Sequence, residues 1–338
     1  MTKRKGKKVV NILAIIIIFI LLLYFGVLGY FRLPVKDYYK ASEKTFIIPD
    51  LNDNFVPQGF CYDEQTDEFL ISGYNSKNAP SPIFSVNKST NEKIKKVNLY
   101  KDESMPWTGH GGGIAINGDF LYLMDDTGLM IYSYDDFKNA ENDGKIVSLG
   151  RFSTELDDGE FLRVDFVSVI GNKLYIGEFH YAGKYDTPES HRTATADGEN
   201  KAYIFQYALN DDSEWGFNKV PNMAFSVTDK VQGMTIDNGK IYLSCSYGLA
   251  FSNIFVHDLK SIEFSKNIKF GENSLPLYIL DSQNLIGTIK APPMSEEIVI
   301  LDNQLYTMCE SACNKYFFGK LTGARWCYKT DLTKYFAN

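Results

Sequence analysis

Residues capable of chemistry recur at matching positions of a repeated sequence phrase. Aligned on that phrase, at intervals of 53 to 67 residues, the equivalent positions are Gln58, Gly112, Asp165, Gln232 and Glu296. If these positions converge on one axis, two carboxylates and two amide oxygens form a site for Ca²⁺ or Mg²⁺, because both ions prefer oxygen ligands. Asp165 and Glu296 are therefore the predicted metal ligands, and Gln58 and Gln232 are predicted to bind a ligand.

Acid–base catalysis is a second interpretation of the same ring. One carboxylate would act as a general base, and His110 or the other carboxylate would act as the acid. His110, Asp165 and Glu296 are the candidate catalytic residues on this interpretation. A third interpretation is a polar channel lining that only holds water.

A long polar segment, residues 178–200, is predicted to cover the mouth of this ring. It contributes four further candidate ligand-binding residues, which are Glu178, His180, His191 and Arg192. A guanidinium suits an anionic group on a ligand because it donates several hydrogen bonds in one plane. Long loops on a rigid β scaffold are also where binding and catalytic residues concentrate.

The repeated phrase that positions these residues is an apolar strand, a tight polar turn and a second strand that reads Leu-Tyr-Leu or similar. It occurs five times, and a third and a more variable fourth strand follow most copies. Four antiparallel strands repeated at this period predict an all-β fold, a β-propeller of five blades. The N-terminal strand, residues 44–51, is predicted to complete the last blade. An atypical blade within residues 255–290 would make six.

The N-terminal region predicts a membrane anchor. Residues 9–31 form an uncharged run that, as a helix, would be about 34 Å long, enough for a hydrocarbon core of about 30 Å. A basic tail (residues 1–8) precedes it, a linker (32–43) follows, and the propeller domain occupies 44–338. The basic tail predicts a cytoplasmic N-terminus and a single-pass protein of the cell membrane with an extracytoplasmic propeller.

Composition and charge exclude several classes. The 338 residues include 24 Phe and 22 Tyr and carry a net charge of −7, which excludes collagen-like, coiled-coil and disordered chains. Residues 1–34 contain no acid, so residues 35–338 are strongly acidic, and we predict no nucleic-acid partner. Because the number of cysteines is five, at least one thiol must be free. One disulfide could form among Cys309, Cys313 and Cys327, and the sequence does not decide whether it does.

Four phrases carry a resemblance to a known group. PQGF, TGHGGGIA, QGM…SYG…S and ARWCYKTDL resemble a group of uncharacterised bacterial secreted or membrane-anchored β-propeller proteins. More distantly, the blade pattern is similar to gluconolactonase-like, strictosidine-synthase-like and glutaminyl-cyclotransferase-like propellers. The first group implies a fold and no activity, and the wider superfamily matches in blade pattern alone.

Two functions from different classes follow from these features. The first is a module that presents a binding face over the central channel to an envelope ligand or a protein partner. The alternative is a metal-dependent hydrolase, lyase or cyclase that acts on an envelope sugar or peptide. Whether the protein is an enzyme stays open at this point, because the sequence contains no complete catalytic motif.

Overall fold

The computed structural model describes residues 2–155 and 159–337, with side chains from Val10 onward. Helix α1 (Thr2–Arg32) is followed by a 3-10 turn (Leu33–Val35) and by the short helix α2 (Lys36–Ala41). Within the described residues, α1 belongs to the one helical region long and apolar enough to cross a membrane. The side chains of the predicted basic tail, residues 1–8, lie outside this description.

The remainder of the chain is mostly β-sheet, as predicted. In chain order the first strands are β1 (Ser42–Ile47), β2 (Phe55–Asp63), β3 (Glu68–Asn75), β4 (Pro82–Asn87), β5 (Lys93–Tyr100), β6 (Ile114–Asn117), β7 (Phe120–Met124), β8 (Gly128–Ser133) and β9 (Lys145–Ser153). The next are β10 (Val164–Ile170), β11 (Lys173–Glu178), β12 (Thr193–Thr195), β13 (Gly198–Asn200), β14 (Ala202–Ala208) and β15 (Met223–Val227). The last are β16 (Val231–Asp237), β17 (Lys240–Cys245), β18 (Ser252–Asp258), β19 (Phe264–Phe270), β20 (Asn273–Ile279), β21 (Leu285–Ala291), β22 (Ser295–Leu301), β23 (Gln304–Cys309) and β24 (Trp326–Asp331). The short helices α3 (Tyr134–Asn139) and α4 (Leu332–Phe336) follow β8 and β24.

Twenty of the 24 described strands pair into five antiparallel units of four. The units are β2-β3-β4-β5, β6-β7-β8-β9, β10-β11-β14-β15, β16-β17-β18-β21 and β22-β23-β24-β1. Parallel pairing of β5 with β9 joins the outer strands of the first two units into one sheet of eight strands. The first strands contact one another in cyclic order, β2 with β6, β6 with β10, β10 with β16, β16 with β22, and β22 with β2. The architecture is therefore propeller-like.

The core lies between the units, which explains why the strands do not alternate cleanly between apolar and polar residues. Five apolar clusters occupy the spaces between consecutive units, and one of them lies between the fifth unit and the first. The first strands approach closely at the axis. A Cβ added to Gly113 would lie 2.3 Å from the Val167 amide nitrogen, so only glycine fits at this crossing.

The predicted pairing of the N-terminal strand with the end of the chain is confirmed, with shifted bounds. β1 pairs antiparallel with β24, so that Ser42 opposes Thr330 and Ile47 opposes Trp326. Phe46 is buried in the cluster between the fifth and first units, whereas Ile47 is 44% exposed. The strand begins at Ser42, two residues before the predicted start, and ends before the predicted limit at 51.

The segment that suggested an atypical blade has two different roles. β21 is the fourth strand of its unit, whereas β19 and β20 form a hairpin that leaves this unit. β20 pairs in parallel with β15 of the preceding unit. The apolar residues of 255–290 are therefore explained by packing on two existing units. All five cysteines, each within the described chain, are free thiols.

Candidate functional site

A cavity of about 590 Å³ opens at one end of the axis, and we call it the axial cavity. Its wall comes from the turns that enter the first strands and from those that join second to third strands. Its lining includes Gln58, Tyr74, His110, Asp165, Gln232 and Glu310, the basic residues Arg163, Lys184 and Lys315, and the aromatic residues Tyr185, Tyr247 and Tyr316. The structure thus brings together Gln58, His110, Asp165 and Gln232.

Irregular strand pairing explains why the aligned residues reach the axis. The register of the first hairpin shifts between Pro57 and Phe60, and equivalent shifts occur around Asp165, Gln232 and Glu296 in β10, β16 and β22. A bulge leaves one residue unpaired and redirects its side chain. Four of the five positions aligned by sequence, all except Gly112, are therefore equivalent in the fold.

Glu310, which the sequence analysis missed, lies at the centre of the polar contacts in the cavity. It follows β23 directly, and its carboxylate accepts hydrogen bonds from Gln58 Nε2 at 2.9 Å and from the Tyr316 hydroxyl at 2.8 Å. Burial raises the pKa of Glu310, while Tyr316, Lys315 and Gln58 oppose that rise. These donors favour the ionised form of this carboxyl group.

Asp165 has a different electrostatic environment although it lies in the same cavity. Burial, and secondly the negative charge of Glu310, raise the pKa of Asp165 to about 8. The Asp165 carboxyl group is therefore predominantly protonated at pH 7 and can donate a hydrogen bond. Two carboxyl groups whose environments differ in this way are an arrangement that supports acid–base chemistry.

Glu296 and Glu297 lie side by side in the bulge of β22, both 2% exposed. Glu297 Oε2 accepts hydrogen bonds from the amides of Phe60 (2.7 Å) and Ile114 (3.1 Å), which belong to β2 and β6. Glu296 Oε1 is buried with no hydrogen-bond partner among the described residues. Burial, followed by the charges of Glu310 and Asp165, raises the pKa of Glu296. Glu296 does not belong to the cavity lining within the described chain.

One wall of the axial cavity combines aromatic and cationic groups. The His110 ring stacks on Tyr74 at a centroid separation of 4.7 Å. The Lys315 ammonium donates a hydrogen bond to the Tyr74 hydroxyl and lies 5.0 Å from the centroid of that ring. The surrounding protein, and secondly the charge of Lys315, lower the pKa of His110 to about 4. His110 is therefore neutral at pH 7, although its ring is accessible from the cavity.

The opposite wall repeats this combination with different residues. Tyr181 stacks on Tyr247 at 4.0 Å, and the Lys184 ammonium donates a hydrogen bond to the Tyr247 hydroxyl at 3.1 Å. Lys184 also lies 4.9 Å from the centroid of the Tyr185 ring. Tyrosine rings thus bound the cavity on two sides, and on each side a lysine ammonium donates a hydrogen bond to a tyrosine hydroxyl. Such walls combine a flat apolar surface with positive charge.

The four residues predicted to cover the mouth lie elsewhere, since none is among the described residues that line the cavity. Glu178 is fully buried and accepts hydrogen bonds from His191 Nδ1 (2.8 Å) and the Tyr203 amide (2.9 Å). His180 is buried beside Thr187. Arg192 forms an exposed ion pair with Glu189 at 2.6 Å. These contacts stabilise the 178–200 segment. The charged groups of Glu178 and Arg192 therefore interact within the segment and with Tyr203 and do not face a ligand in the cavity.

The predicted divalent cation has limited support from this geometry. Across residues 2–155 and 159–337, no three His, Cys, Asp or Glu side chains are grouped closely enough to hold a metal ion. Asp165 contributes to the raised pKa of Glu296, but only Asp165 lines the cavity. Protonation relieves the repulsion between buried carboxylates without an ion. The Ca²⁺ or Mg²⁺ site therefore stays a prediction.

Comparison with known proteins shows similarity in fold alone. Glutaminyl cyclase from Myxococcus xanthus aligns with a TM-score of 0.42 and 10% identity over 83% of this chain and 90% of that one. Exo-β-1,3-galactanase from Phanerochaete chrysosporium aligns with a TM-score of 0.45 and 10% identity, over 80% and 58%. The GH43_1 enzyme from Xanthomonas citri aligns with a TM-score of 0.38 and 12% identity, over 88% and 92%. The sequence matches no protein-family model and no curated protein. These neighbours have propeller-type folds, and similarity at this level carries no argument about activity.

Proposed function

We propose that this protein is a membrane-anchored, five-bladed β-propeller that binds a small, hydroxyl-rich, anionic ligand in the axial cavity. The observation that carries the proposal is the composition of that cavity. Three cationic side chains, Arg163, Lys184 and Lys315, share it with tyrosine rings on two walls. The lining also contains the carboxyl groups of Asp125, Asp126, Asp165 and Glu310. The Arg151 guanidinium, at 2.7 Å, balances the charge of Asp125, and the raised pKa of Asp165 leaves that group protonated at pH 7. Tyrosine rings pack on the apolar faces of such a ligand, and lysines pair with its negative charge.

The five-blade count rests on the sheets and on the packing between them. Five units of four strands, with an apolar cluster between each consecutive pair, account for the described strands apart from the β12-β13 and β19-β20 hairpins. The anchor rests on α1, whose apolar side chains from Val10 to Phe25 are exposed. In the orientation we propose, the basic N-terminus is cytoplasmic and the propeller is extracytoplasmic.

Ligand binding is tested by thermal melting of the purified full-length protein with glucuronate, glucose 6-phosphate and neutral glucose as probes. A ligand that binds only the folded state raises the melting temperature by mass action. We expect at least one acidic probe to raise it and glucose to raise it less. Lys315→Ala should remove the increase, whereas Lys266→Ala, at an exposed lysine on the distant β19, should leave it unchanged. An equal response to charged and neutral probes, or an unchanged response in Lys315→Ala, would contradict the proposal.

A second candidate function is favoured by one specific observation, the unequal environments of Asp165 and Glu310. Asp165 can act as a general acid because its carboxyl group is protonated at pH 7, and Glu310 can act as the base. His110, which is neutral and accessible from the cavity, is a further proton acceptor. On this interpretation the protein is a hydrolase, lyase or cyclase of an envelope sugar or peptide.

The raised pKa of Asp165 predicts how stability depends on pH. The unfolded carboxyl group titrates near 4 and the folded one near 8, so the unfolded state loses its proton first. The stability associated with Asp165 is complete below about pH 4 and is lost as the pH rises to about 8. We expect Asp165→Asn to be more stable than wild type at pH 8, by up to about 5 kcal/mol, since each pKa unit is worth about 1.4 kcal/mol. The difference should shrink at pH 4.

Thermal melts of both proteins between pH 4 and pH 8.5 measure this effect. Asp119→Asn, at an exposed hairpin turn, is the matched control and should follow the wild-type curve. A wild-type and an Asp165→Asn curve that stay parallel over the whole range would show that Asp165 is ionised in the folded protein.

The anchor predicts the behaviour of the protein during fractionation. A helix that spans the bilayer is not released by alkaline carbonate, whereas a protein held at the surface by charge is released. We expect the full-length protein to stay in the membrane pellet after this wash. A mature protein whose N-terminus lies near residue 30, and which is found in the soluble fraction, would identify α1 as a cleaved signal sequence.

A further inference from the structure

Two adjacent aromatic side chains are exposed beside the axial cavity. Phe317 is 86% exposed and Phe318 is 51% exposed. They belong to residues 314–321, which we call the Phe317 loop and which also contains the exposed lysines Lys315 and Lys320. Neighbouring exposed aromatic rings flanked by lysines are typical of segments that enter the interface of a lipid bilayer.

The Phe317 loop lies where α1 reaches the propeller. The helix contacts the turn Phe318–Leu321, and the Arg32 guanidinium donates a hydrogen bond to the Leu321 carbonyl at 3.5 Å. Further exposed apolar side chains, Tyr30 (63%) and Leu33 (69%), lie at the same end of the helix. The apolar surface of the helix is thus continuous with that of the loop.

The length of α1 places this end of the propeller at the bilayer surface. Residues 27–29 are half-buried and Phe31 is buried, whereas residues 10–26 are exposed. The uncharged stretch from the end of the basic tail, residues 9–26, spans about 27 Å at 1.5 Å per residue, which is less than the hydrocarbon thickness of about 30 Å. The last turns of the apolar helix are therefore at membrane depth while they contact the propeller.

Two segments that contact the end of α1 also form part of the axial cavity. Lys315 and Tyr316 of the Phe317 loop line it. The Phe251 ring also contacts Tyr30 at a centroid separation of 6.0 Å, and the turn that leads to Phe251 contributes Tyr247 to the cavity lining. The mouth of the cavity is therefore adjacent to the point where the chain enters the membrane.

We propose that the Phe317 loop inserts into the lipid interface and holds the cavity mouth against the bilayer, so that the cavity receives the anionic head group of a membrane-embedded amphiphile. This inference rests on the proposed function for the choice of ligand, but the lipid contact stands on α1 and the exposed phenylalanines. Lys315 and Lys320 pair with lipid phosphates while Phe317 and Phe318 enter the acyl boundary.

Lipid contact is tested with the full-length protein reconstituted in phosphatidylcholine vesicles that contain a lipid carrying a quencher near the head group. An environment-sensitive fluorophore is attached at Phe317→Cys and, as the matched control, at Phe264→Cys on β19, which is 56% exposed. Unsubstituted protein, labelled in the same way, corrects for reaction at the native cysteines. We expect quenching at position 317 to exceed that at position 264 by at least about twofold. Equal quenching at the two positions would refute the insertion of the loop.

The source of the ligand is tested by replacing part of the phosphatidylcholine with phosphatidylglycerol and, separately, by adding soluble glycerol 3-phosphate. We expect phosphatidylglycerol to raise the melting temperature of the reconstituted wild-type protein, and Lys315→Ala to lose most of that rise. An equal rise with soluble glycerol 3-phosphate alone would contradict a membrane source and would leave the proposed anionic ligand intact. Strong quenching at position 317 without any response to anionic probes would retain the lipid contact and contradict the proposed function.

Discussion

Glu297→Ala is expected to lower the free energy of unfolding by about 2–6 kcal/mol, because two buried amides lose their acceptor and each unsatisfied group costs about 1–3 kcal/mol. Glu297 Oε2 accepts from the amides of Phe60 and Ile114 at 2.7 and 3.1 Å. The Val167 amide, on β10, also favours its charged form. One side chain on β22 therefore satisfies backbone donors of three other first strands at the axis.

Two matched variants separate this contribution from the general effect of changing a buried acid. Glu297→Gln keeps a carbonyl acceptor at the same position and should cost less than Glu297→Ala. Glu296→Gln changes a neighbouring carboxyl group that is equally buried. Among the described residues, Oε1 of both glutamates has no hydrogen-bond partner, so the two residues differ in the backbone amides that Glu297 Oε2 accepts. Because burial, and secondly the charge of Glu310, raise the pKa of Glu296 and so disfavour its ionised form, this change should leave the protein as stable or more stable at pH 7. Chemical denaturation at pH 7 measures all three, and similar losses in Glu297→Ala and Glu296→Gln would contradict the bridging role.

The repeated phrase was sufficient to predict the first strands and the residues at their bulges. Asp165 and Gln232 line the cavity as expected, because each copy of the phrase folds into the same local hairpin and so places equivalent side chains equivalently. The sequence does not distinguish Glu297 from its neighbour Glu296, because both are glutamates in the same bulge and differ only in the direction of their side chains. No pattern within one strand predicts that the Glu297 acceptors face amides of β2 and β6.

Glu310 and Lys315 were missed because they belong to an irregular segment between β23 and β24. Their partners are distant in sequence, since Lys315 pairs with Tyr74 and Glu310 accepts from Gln58, and these contacts exist only once the ring has closed. A signal was nevertheless present, because the segment joins a second to a third strand. The 178–200 segment also joins a second to a third strand, and it was predicted to cover the mouth of the ring. Glu178 fails for the opposite reason. Glu178 is the last residue of β11, and its carboxylate accepts a hydrogen bond from the Tyr203 amide. It therefore has a structural role and does not reach the cavity.

Closure of the ring by β1 predicts a second large loss in the free energy of unfolding, and two neighbouring residues of this strand provide the variant and its control. Phe46 is 2% exposed and contacts the rings of Phe60 and Phe69, at 6.4 and 5.7 Å, across the boundary between the fifth and first units. Truncating a buried phenylalanine to alanine costs about 3–5 kcal/mol. We expect Phe46→Ala to lower the free energy of unfolding by this amount, because it removes the apolar contact that holds the closing strand against the first unit.

The adjacent residue supplies the control, because successive side chains of a strand point to opposite faces. Ile47 is 44% exposed, so Ile47→Ala should change the free energy of unfolding by less than about 0.5 kcal/mol. Chemical denaturation of both variants measures the difference, and hydrogen exchange of the β24 amides should accelerate more in Phe46→Ala than in Ile47→Ala. If both variants were as stable as wild type, β1 would not close the ring in solution. The first and last units would then each present an open edge, which is a site for aggregation through strand pairing.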